Sequence, residues 1–237
     1  MTILSTRGLS KNFAGLKAVQ NVDLDLPKGQ VRALIGPNGA GKTTLVGLLC
    51  GRIEPSGGSV VFDGRDISKL PAHKRINLGI AYTFQVTSVF ANLSVDENVA
   101  LAARRRVHGG EVDKAVRDSL ARVGLDGRAT QNAGDLSYGH QRLLEIAMGL
   151  AQQPRLLILD EPTQGLAESE VTGFKALVRE LAQTATVLLI EHNMSVVMEL
   201  ADYVTVLNFG QVLAEGTPQE IHANRAVQAA YLGTDAC

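Results

Sequence analysis

Gly36-Pro37-Asn38-Gly39-Ala40-Gly41-Lys42-Thr43 stands between the apolar run Val31-Arg32-Ala33-Leu34-Ile35 and a helical stretch beginning Thr44-Leu45-Val46. The spacing is G-x-x-x-x-G-K-T, and its neighbours give it meaning. Glycines let the backbone wrap tightly, so that its amides converge on phosphate oxygens at a helix N-terminus. Lys42 adds a cation for β- and γ-phosphates, and the Thr43 hydroxyl is a ligand for Mg²⁺. A buried strand feeding such a loop and then a helix predicts an α/β fold around a bound nucleotide. The expected nucleotide-binding set is Gly36, Pro37, Asn38, Gly39, Ala40, Gly41, Lys42, Thr43 and Thr44.

A second stretch completes the chemistry. Leu156-Leu157-Ile158-Leu159 is a buried strand that delivers Asp160 and Glu161 at its C-terminal end, where open α/β sheets bind ligands. Asp160 is expected to hold Mg²⁺, largely through water, and Glu161 to act as general base on the attacking water. Gln85 follows the strand-like Ile80-Ala81-Tyr82-Thr83-Phe84, where a neutral amide can bind Mg²⁺ or that water. His192 follows the run Val187–Ile190 and Glu191, again at a strand end, within reach of a γ-phosphate. Lys42, Gln85, Glu161 and His192 are therefore the candidate catalytic residues, and Thr43, Gln85 and Asp160 the candidate metal ligands.

The rest of the chain fits this frame. Val22–Leu26 alternates apolar and polar before the turn Pro27-Lys28-Gly29, as a half-buried strand does. Val60-Val61-Phe62 runs into the turn Asp63-Gly64. Ser94-Val95-Asp96-Glu97 is a capping box. Val112, Ala115, Val116, Leu120 and Val123 keep helical spacing, and Gly124 suits a C-terminal cap. Residues 86–150 thus read as a helical insertion. A helix over Ser169–Leu181 links the strands at 156–159 and 186–190, and Val204–Leu207 with Val212–Ala214 form a hairpin around Phe209-Gly210.

Bulk properties exclude other classes. With 237 residues the chain can bury a proper core. A net charge of −1 gives no electrostatic reason for a nucleic-acid or lipid partner. Cys50 and Cys237 lack metal-ligand spacing, and no signal peptide precedes Met1, so free thiols in a reducing cytoplasm are expected. No apolar run approaches the roughly 20 residues that span a bilayer. The run Arg104-Arg105-Arg106 lacks interleaved aromatics, so it reads as a solvated helix end rather than a nucleic-acid contact. No guanine-reading Asn-Lys-x-Asp occurs, which disfavours a GTPase.

Leu136-Ser137-Tyr138-Gly139-His140-Gln141 carries a family resemblance. It is similar to the LSGGQ signature of the ABC transporter ATPases, and the resemblance extends over the whole chain. It implies a P-loop NTPase (RecA-like) core with an antiparallel β subdomain and a helical subdomain bearing the signature. One ABC domain over 1–237 is expected, with 1–85 and 151–237 as the core and 86–150 as the helical subdomain. In that family the signature contacts the γ-phosphate of ATP held by the other subunit. Ser137 as N-cap and the Gly139 amide, opening a helix over Gln141–Ala151, carry that role here. Tyr138 and His140 depart from the pattern. Phe13 falls where the family stacks an aromatic on adenine, with a core phenylalanine as the alternative. Thr163-Gln164-Gly165-Leu166-Ala167 stands at the family's D-loop, where Ala167 replaces the usual Asp or Asn; unequal sites are one possible consequence.

Further segments are similar to the ATPases of branched-chain amino acid importers. They are Thr83-Phe84-Gln85, Leu143–Ala147, Ile190-Glu191-His192-Asn193-Met194 and the tail Gly216-Thr217-Pro218…Ala230-Tyr231-Leu232-Gly233. That resemblance implies ATP with Mg²⁺, a homo- or heterodimer of ATPase subunits, two transmembrane permeases, a periplasmic binding protein acting indirectly, and no nucleic acid. The location implied is peripheral, on the cytoplasmic face of the inner membrane. Urea import and lipopolysaccharide export are the alternative systems.

Overall fold

A computed structural model describes residues 1–83 and 88–232, with the side chain of residue 232 excepted. The chain begins with β1 (Thr2–Phe13), β2 (Leu16–Pro27), β3 (Val31–Ile35), α1 (Lys42–Cys50), β4 (Gly57–Phe62), β5 (Arg65–Asp66), α2 (Ala72–Leu78) and β6 (Ile80–Thr83). It continues through α3 (Val95–Ala103), α4 (Glu111–Arg122), α5 (Tyr138–Leu150), β7 (Leu156–Asp160), α6 (Glu168–Leu181) and β8 (Thr186–Ile190). The last elements are α7 (Met194–Leu200), β9 (Tyr203–Asn208), β10 (Gln211–Gly216), α8 (Pro218–Ala223) and α9 (Arg225–Leu232). These elements form two compact units, residues 1–76 with 186–237 and residues 77–185.

In the first unit β1 pairs antiparallel with both β2 and β4, and β4 pairs antiparallel with β5. This is the antiparallel β layer. β3 pairs in parallel with β8 and β9, while β10 folds back antiparallel on β9. All five residues of β3 and of β8 are buried, which is why both read as unbroken apolar runs rather than alternating ones. Two residues are polar exceptions, Thr186 in β8 and Arg32 in β3. The Arg32 guanidinium donates to Thr205 Oγ1 at 3.0 Å and Glu215 Oε1 at 2.9 Å, and it lies 4.5 Å from the ring centroid of Tyr203. Burial still pushes that guanidinium below its ordinary value, with Glu215 opposing.

Beneath β3 a cluster of Ala33, Ile35, Val197, Val204, Val206, Ile221 and Val227 is buried. Ile221 and Val227 come from α8 and α9, so the end of the described chain docks under the strand that leads into the glycine loop. Each such aliphatic side chain contributes about 1.5–3 kcal/mol on burial. α1 stops where Arg75 Nη1 donates to the carbonyls of Leu48 and Leu49 at 2.7 and 2.8 Å, satisfying its last turn.

In the second unit β6 and β7 pair in parallel, with Tyr82 opposite Ile158 and Thr83 opposite Leu159. Helices α3, α4 and α5 pack on one another. The capping box at Ser94 is present: the Ser94 side chain accepts from Glu97 N–H, and Glu97 Oε2 accepts Ser94 N–H at 2.8 Å. α4 runs to Arg122, with Gly124 at φ +71° just beyond it. α5 starts at Tyr138, three residues before the start expected from sequence, because Ser137 itself is the N-cap. Among the described residues no helix is long and apolar enough to cross a membrane.

Candidate functional site: a nucleotide cradle and a signature helix

The first unit supplies the glycine loop. Lys42 is 7% exposed, and its Nζ donates to the carbonyls of Gly36 at 2.6 Å and Pro37 at 3.1 Å, so the cation is held inside its own loop. Ala40 N–H donates to Pro37 O, and Gly210 N–H from the β9–β10 turn donates to Ala40 O at 2.9 Å. Gly36, at φ +152°, tolerates no side chain: a Cβ there would overlap the carbonyl oxygen of Leu207. α1 begins at Lys42 after Gly41, and no side chain caps that end. A helix N-terminus of this kind suits an anion, and Lys42 adds a matching charge. The glycine loop therefore fits a nucleotide's phosphates. Thr43 is exposed at the same turn.

Tyr231 enters this loop from α9. Burial raises the pKa of its hydroxyl, and the nearby Gly36 N–H works against that rise. Phe13 is 43% exposed at the end of β1 with Lys11 Nζ 5.0 Å from its ring centroid, so it is not a core residue. At the end of β8 the buried Glu191 carboxylate accepts the amides of His192 and Asn193 at 3.1 and 3.2 Å. That turn leaves His192 exposed, and Asn193 then caps α7.

The second unit supplies the carboxylates. Asp160 ends β7, 3% exposed, and accepts the Tyr82 hydroxyl at 2.8 Å. Glu161 follows at φ +49°, a left-handed backbone that a glutamate rarely adopts. Arg142 Nη2 donates to the main-chain oxygens of both Asp160 and Glu161 at 3.0 Å. The turn that aims the two carboxylates is thereby pinned by the helix that carries the signature. Among the described residues no three His, Cys, Asp or Glu side chains converge on a metal position. Taken unit by unit, Thr43 offers a hydroxyl and Asp160 a carboxylate, both of the oxygen type that Mg²⁺ takes. Gln85 lies outside the described residues.

Ser137 and Gly139 open α5. Ser137 Oγ accepts the His140 N–H at 3.3 Å as N-cap and lies 2.9 Å from His140 Nδ1. Gly139 is buried, and a Cβ added there would meet Glu170 Oε2 of α6 at 2.7 Å. Tyr138 lays its ring on Gly165, where an added Cβ would lie 2.5 Å from its ring atoms. Ala167 caps α6 only in part: Glu170 accepts its N–H at 2.8 Å, but alanine has no oxygen to return the bond.

Sequence reasoning missed four of these groups. Arg142 and its Glu145 partner look like any exposed i,i+3 pair. Tyr82 is detectable only from its register beside β7. Tyr138 stood out as a departure, without its contact. Tyr231 belonged to a tail motif with no contact assigned.

Comparison with known proteins agrees with this geometry. The family described as ABC transporter matches residues 19–164, and that described as branched-chain amino acid ATP-binding cassette transporter matches residues 211–237. The chain is 41% identical to the high-affinity branched-chain amino acid transport ATP-binding protein BraF of Pseudomonas aeruginosa, over 98% of both chains. It is 39% identical to LivG of Escherichia coli over the same share of each. Among solved structures, a nucleotide-free ATP-binding cassette from an ABC transporter superposes with a TM-score of 0.90 at 29% identity, covering 99% of this chain and 100% of the other. The ADP conformation of the cassette MJ1267 gives the same values. Taken with the glycine loop, the paired carboxylates and the signature helix, these likenesses show that the chain belongs to the ABC transporter ATP-binding family, in the branch of the branched-chain amino acid transport ATPases.

Proposed function

We propose that this ATPase subunit powers uptake of branched-chain amino acids through two partner permeases, with a binding protein delivering the substrate on the far side of the membrane. The near full-length similarity to BraF and LivG carries this reading. The chain docks on the cytoplasmic face as a peripheral subunit, paired with a second ATPase subunit, identical or not. The helical region at 86–150, with the signature at its end, is the subdomain that meets the nucleotide of that second subunit.

Each residue then has a task. Amides of Gly39 through Thr44 and the Lys42 ammonium bind the β- and γ-phosphates, with Gly36, Pro37 and Asn38 shaping the loop, and Phe13 stacks on adenine. Mg²⁺, when bound, neutralises phosphate charge, with Thr43, Asp160 and Gln85 as its oxygen ligands. Glu161 takes the proton of the attacking water as its oxygen bonds to the γ-phosphorus, and the bond to the β,γ-bridging oxygen breaks to release ADP and phosphate. His192 donates to the γ-phosphate. Ser137 and the Gly139 amide of the opposing subunit close over that same phosphate. Bound ATP holds the subunits together and hydrolysis releases them, which gives the permeases a stroke coupled to nucleotide state.

Glu161→Gln tests the chemistry: ATP binding is retained while turnover falls by about 10²–10⁴. Unchanged turnover removes Glu161 as the base. Reconstitution with the permeases tests the cargo. Leucine-, isoleucine- or valine-loaded binding protein stimulates ATP turnover, and a lack of response to all three rejects the amino-acid reading.

A further inference from the structure

The signature turn is held from several sides. Tyr138 lies on Gly165, Gly139 sits against the Glu170 carboxylate, and His140 N–H caps onto Ser137 Oγ. The backbone thus has little freedom, and the proton of the exposed Ser137 hydroxyl is what remains to be oriented. His140 Nδ1 lies 2.9 Å from that oxygen.

A serine hydroxyl has one proton and two lone pairs, and a neutral imidazole nitrogen is either a donor or an acceptor. Two arrangements follow. With Nδ1 bare, Ser137 donates inward to the ring and shows lone pairs to the outside, which repel a phosphate oxygen. With Nδ1 protonated, in the imidazolium or in the Nδ1–H tautomer of the neutral ring, the ring donates to Oγ and the hydroxyl proton turns outward to an acceptor; beside a phosphate, charge selects the imidazolium. A glutamine at this position, as in the family signature, lacks this titration.

We propose that His140 is a positioning residue that decides which way the Ser137 hydroxyl points, so that uptake of a proton by His140 accompanies engagement of a γ-phosphate by the signature. This holds only if Ser137 meets the nucleotide of an opposing subunit, as proposed above. The sign follows from charge. An imidazolium beside a phosphate is favoured over one facing water, so the bound state holds the proton more tightly. Association is therefore strongest at low pH and is lost as pH rises through the titration of the bound state. Glu170 is the ionisable group that α6 brings against this turn.

The experiment measures ATP-driven association of full-length Glu161→Gln protein, with its counterpart ATPase subunit where one is required, between pH 6 and 8.5. Association rather than turnover is read because His192 is itself assigned to the chemistry above. The Glu161→Gln protein is expected to associate about three- to tenfold more weakly at the high end. Adding His140→Gln flattens that dependence, and Ser137→Ala with His140→Gln matches Ser137→Ala alone. Nitrogen-15 spectra of the histidine rings show a proton arriving on Nδ1 of His140 when ATP is added. Parallel pH profiles with and without His140→Gln, or an Nδ1 that stays bare with ATP bound, overturn the proposal while leaving the ATPase reading intact. If Ser137→Ala leaves association unweakened at every pH, the signature reading itself fails, and this inference falls with it.

Discussion

Arg142 and Glu145, one turn apart on α5, form a 2.9 Å ion pair with only 1% and 4% of their side chains exposed. The same guanidinium holds the carbonyls of Asp160 and Glu161, so stability and site geometry share one group. Removing one member of a buried pair strands the other, and Arg142→Met is expected to cost about 3–5 kcal/mol. Replacing both, as Arg142→Met with Glu145→Leu, restores most of that stability. Turnover stays low, because the carboxylate turn has lost its donor. Calorimetry and steady-state ATPase assays on the two variants check this; a double variant restored in both respects contradicts the positioning role.

Glu145 also makes stability depend on pH. Burial raises its carboxyl above the ordinary 4.5, outweighing the Ser88 amide and Arg142, which pull it down. A raised value means that the folded state binds the proton more tightly than the unfolded chain does. The contribution is fully present below 4.5 and is lost as pH rises through the raised value. Urea midpoints across the acidic range are expected to show this slope in the native chain and to lose it in Glu145→Gln. Equal slopes contradict it.

Glu161 stores backbone strain at φ +49°. Glu161→Gly and Glu161→Ala both remove the carboxylate, but only glycine relaxes the backbone. The glycine variant is expected to be more stable than the alanine one by about 1 kcal/mol, both being catalytically dead. Thermal melts of the pair decide it, and equal melting temperatures would show that the turn carries no strain.

The Tyr231 hydroxyl, on the last described helix, lies where the Gly36 N–H of the phosphate loop can reach it. Tyr231→Phe keeps the ring and deletes that acceptor. Loss of one hydrogen bond, about 0.5–1.5 kcal/mol, predicts nucleotide affinity two- to tenfold weaker with little change in melting temperature. Titration with a fluorescent nucleotide measures it, and unchanged affinity would leave Tyr231 a packing residue.

What the sequence makes legible follows from the range of the interactions. β7 and β8 are plain because every side chain is buried, and the capping box at Ser94 is plain because its partners lie three residues apart. β1 is harder, since register shifts between Thr6 and Leu9, and between Leu9 and Lys11, break its alternation. The glycine loop, Asp160 and Glu161 announce themselves through residue type and spacing. Arg142 does not, because its partners at 160 and 161 lie 18 and 19 residues away and only folding brings them within reach. The left-handed backbone of Glu161 is invisible for a related reason: nothing in a glutamate codes for positive φ, and the surrounding contacts impose it.

The proposed stroke requires that one γ-phosphate be gripped by two polypeptides, Lys42 from one and Ser137 from the other. The direct measurement is the solution mass of the Glu161→Gln chain by sedimentation, alone and mixed with its counterpart ATPase subunit, in ATP and in ADP. A dimer is expected to form in ATP, to be absent in ADP and to disappear in Ser137→Arg. A chain that binds ATP yet stays monomeric in every mixture contradicts it.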